Sequence, residues 1–109
     1  MSRMQSANLQ QGMDQAEAAR RRGDNVAALA TLRGLLEESP DHPLPYLRAA
    51  TVLMDLRQFD DAESLLSAGA ERFPQDAGFV IDRAWVALRR GDLGEAATRW
   101  ATVRKEVPN

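Results

Sequence analysis

Small and large apolar residues return along this chain in a fixed phase. Alanine recurs at Ala16, Ala50 and Ala84, and again at Ala28, Ala62 and Ala96, each time 34 residues apart. Leu32, Leu66 and Trp100 share one position of that frame; Asn25, Phe59 and Leu93 share another. Pro40, Pro74 and Pro108 keep the same spacing. The run Arg21-Arg22-Gly23-Asp24 returns as Arg89-Arg90-Gly91-Asp92, with Arg57 at the middle copy of the glycine. A period of this length marks stacked supersecondary units that bury their apolar faces on one another. The frame gives an N-terminal tail over 1–8 and repeats over 9–42, 43–76 and 77–109. Each repeat is predicted as helix A, a turn, helix B and a second turn. Helix A is expected over 9–22, 43–56 and 77–90, and helix B over 25–38, 59–72 and 93–106.

The residues between the helices explain the boundaries. Gly23 and Gly91 sit where helix A must end, and glycine accepts the left-handed cap conformation at no steric cost. Asp92 followed by Glu95 reads as a capping box for the last helix B, and Asp24 as a cap for the first. The repeated prolines stop helix B, because proline lacks the backbone donor and restricts the residue before it. Pro43 suits the first turn of the next helix. The alanines, in the middle of helix A and early in helix B, let the two axes approach closely.

Composition agrees with an all-helical reading. Alanine and leucine dominate the apolar set, and unbranched side chains lose little rotamer freedom in a helix. With 44% hydrophobic and 28% charged residues the balance is that of an ordinary soluble domain. The net charge of −2 does not suggest a nucleic-acid binder, which shows a clustered basic surface. The run Arg20–Arg22, like Arg89 and Arg90, is read as complementing the negative end of helix A. Cysteine is absent, which removes disulfide frameworks and thiolate metal sites. His42 is the one histidine and reads as a turn residue beside Asp41. No carboxylate pair stands in apolar surroundings, and no serine has a histidine base. The glycines punctuate helices rather than form a phosphate loop. No catalytic residue, metal or cofactor is therefore expected. Met1–Gln11 is polar, without the apolar core of about 7–15 residues that a signal peptide needs. No run reaches the roughly 20 apolar residues of a membrane span. A cytoplasmic protein with no membrane insertion is the expectation.

On these residues the chain resembles the tetratricopeptide repeat family. Its pattern, counted from the first residue of each repeat, has a large residue at position 4, small at 8, Gly at 15, Ala at 20, aromatic at 24, small at 27 and Pro at 32. Positions 8, 20 and 32 match in all three copies. Position 4 holds Gly12, Tyr46 and Val80; position 27 holds Leu35, Gly69 and Val103. Position 7, usually leucine, holds Gln15, Ala49 and Arg83. The resemblance implies an all-α, right-handed α-solenoid of three helix–turn–helix repeats, with six antiparallel helices and the A helices on its concave side. It also implies a scaffold that binds another protein or peptide in that groove. Helical periodicity of about 100° per residue independently puts positions 2, 5, 6, 9, 12 and 13 on one side of helix A.

Those positions are polar in the first repeat and apolar with charged margins in the next two. The expected groove residues are Leu47, Arg48, Thr51, Met54, Ile81, Asp82, Trp85 and Leu88. Trp85 is the expected anchor, as large aromatics commonly are in interfaces. Some family members grip a C-terminal carboxylate with Lys, Asn, Asn, Lys and Arg at positions 5 and 9, then 6, then 2 and 6 of successive repeats. Here those positions hold Met13 and Glu17, Arg48, then Gly78 and Asp82, and only Arg48 suits the part. Pro108 falls just before the last residue, so the array reads as cut off, with Trp100 and Val103 on an open end face. That end face suggests a piece of a longer protein, a homodimer through open repeat ends, or an accessory N-terminal domain of an enzyme such as a transferase.

Overall fold

The computed structural model describes residues 3–107, with side chains from residue 8 onward. Six helices follow one another: α1 (Arg3–Arg21), α2 (Asn25–Glu38), α3 (Pro43–Asp55), α4 (Phe59–Arg72), α5 (Gly78–Arg89) and α6 (Leu93–Glu106). Among the described residues there is no strand. The expected A and B helices are all present. One boundary differs by more than a residue: α1 begins at Arg3, so most of the segment expected as a tail is helical. Residues 3–8 contain neither proline nor glycine, and nothing in them stops the helix. Pro108, expected to end the last helix, lies outside the described residues.

Each helix packs on the next, and α3 also packs on α5, helix A against helix A. The molecule is elongated, 42 × 30 × 23 Å, as a short stack of helix pairs should be. Its core is built from the periodic positions. Ala16, Ala50, Ala84, Ala28, Ala62 and Ala96 are all buried, and so are Leu32 and Leu66.

One turn is used three times. Gly23 N–H donates to Arg20 C=O and Asp24 N–H to Ala19 C=O, both at 2.9 Å; Arg57 and Gln58, then Gly91 and Asp92, repeat the pair. This is the Schellman motif, whose C′ residue must be left-handed. Gly23 and Gly91 have φ of 82° and 88°; Arg57 adopts 61°, a conformation costly for a residue with a Cβ. Asp24 and Asp92 then cap the following helices by accepting from Ala27 N–H and Glu95 N–H. The capping box at Asp92 is only half made. The Glu95 carboxylate accepts from Arg99 Nε at 2.9 Å instead of turning back. In the middle repeat Gln58 makes no side-chain cap.

Tertiary contacts explain a small position 27 and two departures from the repeat pattern. A Cβ on Gly69 would lie 2.1 Å from Cε1 of Phe79, so the missing side chain makes room for that ring. Phe79 stacks on Phe73, with centroids 6.0 Å apart, and meets Tyr46 edge-on at 6.4 Å, joining the second and third repeats. Gly12 likewise lies against Leu35, so the first repeat has traded a large position 4 and small position 27 for the reverse. Arg83, standing where leucine is usual, bonds Glu63 of α4 through Nε at 3.3 Å. Arg99 of α6 reaches the same carboxylate at 2.8 Å. Burial of Arg99 opposes its charge, but the hydrogen bonds to Glu63 and Glu95 outweigh it and its pKa is raised.

Candidate protein-interaction groove

Between α1 and α3 the A helices leave a cavity of about 420 Å³. Its floor is apolar: Ala16, Leu32 and Val52. Its rim is polar and charged, with Asp14, Glu17 and Arg20 on α1 and Arg48 and Thr51 on α3. The small side chain of Ala16 opens the floor. Thr51 donates its hydroxyl to the Leu47 carbonyl one turn back, which fixes its rotamer at the rim.

Asp55, at the end of α3, ties the three A helices together. It accepts from Arg20 Nε of α1 at 3.0 Å and from Arg89 Nη2 of α5 at 2.9 Å. The arginines expected to act on the helix dipole thus also bridge repeats. Arg21 pairs with Glu17, and Arg90 with Asp60 of α4. A carboxylate at a helix C-terminus is unfavourable alone, and two guanidinium groups offset that.

The expected groove residues separate into four groups. Arg48 and Thr51 line the cavity. Trp85 and Leu88 are exposed, at 44% and 39%, on α5 beyond it, while Leu44 of α3, 48% exposed, lines the cavity. Met54 is not a groove residue: it is 3% exposed and belongs to the core. Position 12 sits at the margin of the concave arc, and in α3, packed by α2, α4 and α5, it falls within the core. Leu47 is half-buried, packed on the core with its methyls against Gly78, and Ile81 is half-buried too. Asp82 is half-buried, and that desolvation raises its carboxyl pKa; the positive charge of Arg48 works against the rise and Asp76 adds to it. Arg48 and Asp82 are therefore electrostatic neighbours across α3 and α5.

The sequence reading missed the contribution of the first repeat. Gln10, Met13, Asp14 and Glu17 line the cavity on the α1 side, although the largely polar face of that repeat had pointed attention to the apolar repeats. It also treated Trp85 and Trp100 as parts of separate surfaces. The two rings meet edge-on, with centroids 5.2 Å apart and planes at 89°. Val103 is half-buried on the same side of α6 as buried Ala96.

The paired helices, the repeated turn and the 34-residue frame coincide with a family profile described as tetratricopeptide repeat, which matches residues 19–79, more than half of the chain. The chain belongs to the tetratricopeptide repeat family. Solved tetratricopeptide proteins share its fold. The type III secretion chaperone SycD of Yersinia enterocolitica, in complex with a peptide of the translocator YopD, is 20% identical with a TM-score of 0.83. That match covers 99% of this chain and 82% of SycD. The first tetratricopeptide domain of Spaghetti, bound to the HSP90 peptide SRMEEVD, is 17% identical with a TM-score of 0.81, over 95% and 85% of the two chains. A double mutant of MamA is 17% identical with a TM-score of 0.79; the match covers 93% of this chain, which spans 57% of MamA. No curated protein sequence matches the chain. Tetratricopeptide repeats are protein-interaction modules, and the fold is a helical repeat solenoid. No described helix is long and apolar enough to cross a membrane.

Proposed function

We propose that this tetratricopeptide domain is a scaffold that holds a peptide or helix of a partner protein on its concave face. The observation that carries the reading is the α1–α3 cavity, with its apolar floor and charged rim. Leu44 lines it too, and Trp85 and Leu88 are exposed on α5. An apolar side chain of the partner fills the cavity over Ala16, Leu32 and Val52. Arg48 and Asp82 fix polar groups of the partner, and Trp85 supplies aromatic contact area at its far end. SycD and Spaghetti are seen with peptides bound, and both share this fold.

The reading is tested by affinity capture followed by quantitative mass spectrometry. Thr51→Arg, which obstructs the cavity, and Trp85→Ala should each deplete the same captured protein by about tenfold or more. Glu71→Lys, on helix B, should leave it unchanged. Equal capture by the wild type and both groove variants sinks the proposal, provided circular dichroism shows all of them folded.

A further inference from the structure

The four helix-B positions 17, 21, 24 and 28 follow one another at spacings of four, three and four residues, so they form one seam along the helix. In α2 they are Asn25, Leu29, Leu32 and Leu36. Leu29 and Leu32 are buried, Leu36 packs on the core, and α3 lies alongside. In α4 they are Phe59, Glu63, Leu66 and Ala70. Leu66 is buried and the others are half-buried, with α5 alongside. In α6 they are Leu93, Ala97, Trp100 and Arg104. Leu93 is 68% exposed, Ala97 and Arg104 are exposed, and Trp100 is covered only in part, with Trp85 at its edge.

The helix-A face that meets such a seam in the other repeats carries positions 3, 7 and 10: Pro45, Ala49 and Val52 in α3, all buried, and Phe79, Arg83 and Val86 in α5. The same positions in α1 are Gln11, Gln15 and Ala18, all exposed. That polar face is a poor match for a seam holding Leu93 and Trp100, so head-to-tail stacking of copies is disfavoured. The α6 seam is instead complementary to itself. Antiparallel pairing with the two-fold axis between Thr98 and Arg99 sets Trp100 opposite Ala97, large against small. It sets the Arg104 stem opposite Leu93, and Lys105 opposite Asp92. The acidic first turn, Asp92 and Glu95, then faces the basic last turn, Arg104 and Lys105. A two-fold interface requires this reciprocity of contacts.

We propose that the Leu93–Ala97–Trp100–Arg104 seam of α6 is a homodimer interface in which two copies of the chain pair this helix antiparallel. The surface is distinct from the α1–α3 cavity. A single helix pair lies at the small end of specific interfaces, so the dimer forms at roughly micromolar concentrations or above.

Sedimentation equilibrium on the full chain tests this. The mass should rise from the monomer value of 12.0 kDa toward twice that as concentration increases. Leu93→Arg places a cation opposite Arg104 of the other copy, and Arg104→Glu takes the apolar stem from opposite Leu93 and brings an anion beside the acidic first turn, Asp92 and Glu95. Each should weaken dimerisation by about tenfold or more. The double variant L93R/R104E sets opposite charges against each other in this register and should recover the dimer. Both sites are exposed, and circular dichroism checks that the variants fold. A wild type that stays monomeric to near-millimolar concentration overturns the proposal, whatever other helix binds the seam. So does a dimer indifferent to both single substitutions, or a double variant that fails to recover. Thr51→Arg should leave the dimer intact, which separates this result from any failure of the groove reading.

Discussion

Replacing glycine by alanine inside a helix ordinarily stabilises it by about 0.5–1 kcal/mol, because the unfolded chain loses freedom and the helix gains a better former. This domain contains two mid-helix glycines for which the structure demands opposite signs. Around Gly34 of α2 a new Cβ meets nothing within 4 Å. Gly34→Ala should therefore raise stability by that ordinary amount. At Gly69 of α4 the Cβ would fall 2.1, 2.6 and 2.8 Å from three atoms of the Phe79 ring. That ring is fully buried and held between Phe73 and Tyr46, so it has no free direction of retreat. Overpacking of this kind costs about 1–3 kcal/mol, which outweighs the helical gain. Gly69→Ala should be destabilising by about 1–2 kcal/mol, a fall in Tm of roughly 4–12 °C for a domain of this size. Urea and thermal unfolding followed by far-UV circular dichroism measures both variants. Phe79→Leu is costly alone but frees the space the new methyl needs. The double variant G69A/F79L should therefore lose less than the sum of the singles, by about 0.5 kcal/mol or more. A Gly69→Ala protein as stable as Gly34→Ala would refute the claim that this glycine exists to admit Phe79.

Arg57 occupies the left-handed turn position that glycine fills in the other two repeats. Its guanidinium stacks 5.2 Å from the Phe59 ring centroid, so part of the strain is offset, and Arg57→Gly should gain about 0.5–1 kcal/mol, or roughly 2–6 °C in Tm. An unchanged or lower Tm would show that the strain is absent. Asp55→Asn keeps the shape but removes the charge shared by Arg20 and Arg89, and should cost about 1 kcal/mol at low salt. The loss should shrink in about 1 M salt, where screening acts over roughly 3 Å; a salt-independent loss would point to packing instead. Asp82 carries a folded-state pKa raised by desolvation, so its charged form is penalised in the fold relative to the unfolded chain. That penalty is present at neutral pH and is relieved as pH falls through the raised pKa. Asp82→Asn should thus stabilise the domain at pH 7, with the advantage vanishing in acid; an advantage that grows in acid would reverse the assignment.

The repeating architecture was legible because it is carried by local, phase-locked signals. Glycine at a left-handed turn, aspartate at a cap and alanine at a close crossing each act within a turn or two of chain. Three copies in register remove the ambiguity that one copy would leave. The proposed binding face was legible only as an arc of positions. Arg48, Thr51, Trp85 and Leu88 belong to that arc and are accessible, but Met54, on the same arc, is in the core. Helical periodicity gives a direction from the axis; it does not say how near the neighbouring helix comes. The packing of helices around α3 buried Met54, and the spacing of α1 from α3 opened a cavity walled largely by polar residues of the first repeat. Contacts between distant positions were likewise beyond reach: Gly69 under Phe79, Asp55 between two arginines, Arg83 on Glu63 and Trp85 against Trp100. The chain by itself determined which units form and where they begin and end, since those are local balances of propensity and capping. Only the tertiary structure decided which side chains those units bury, pair or leave open, because that depends on distances between helices that no period encodes.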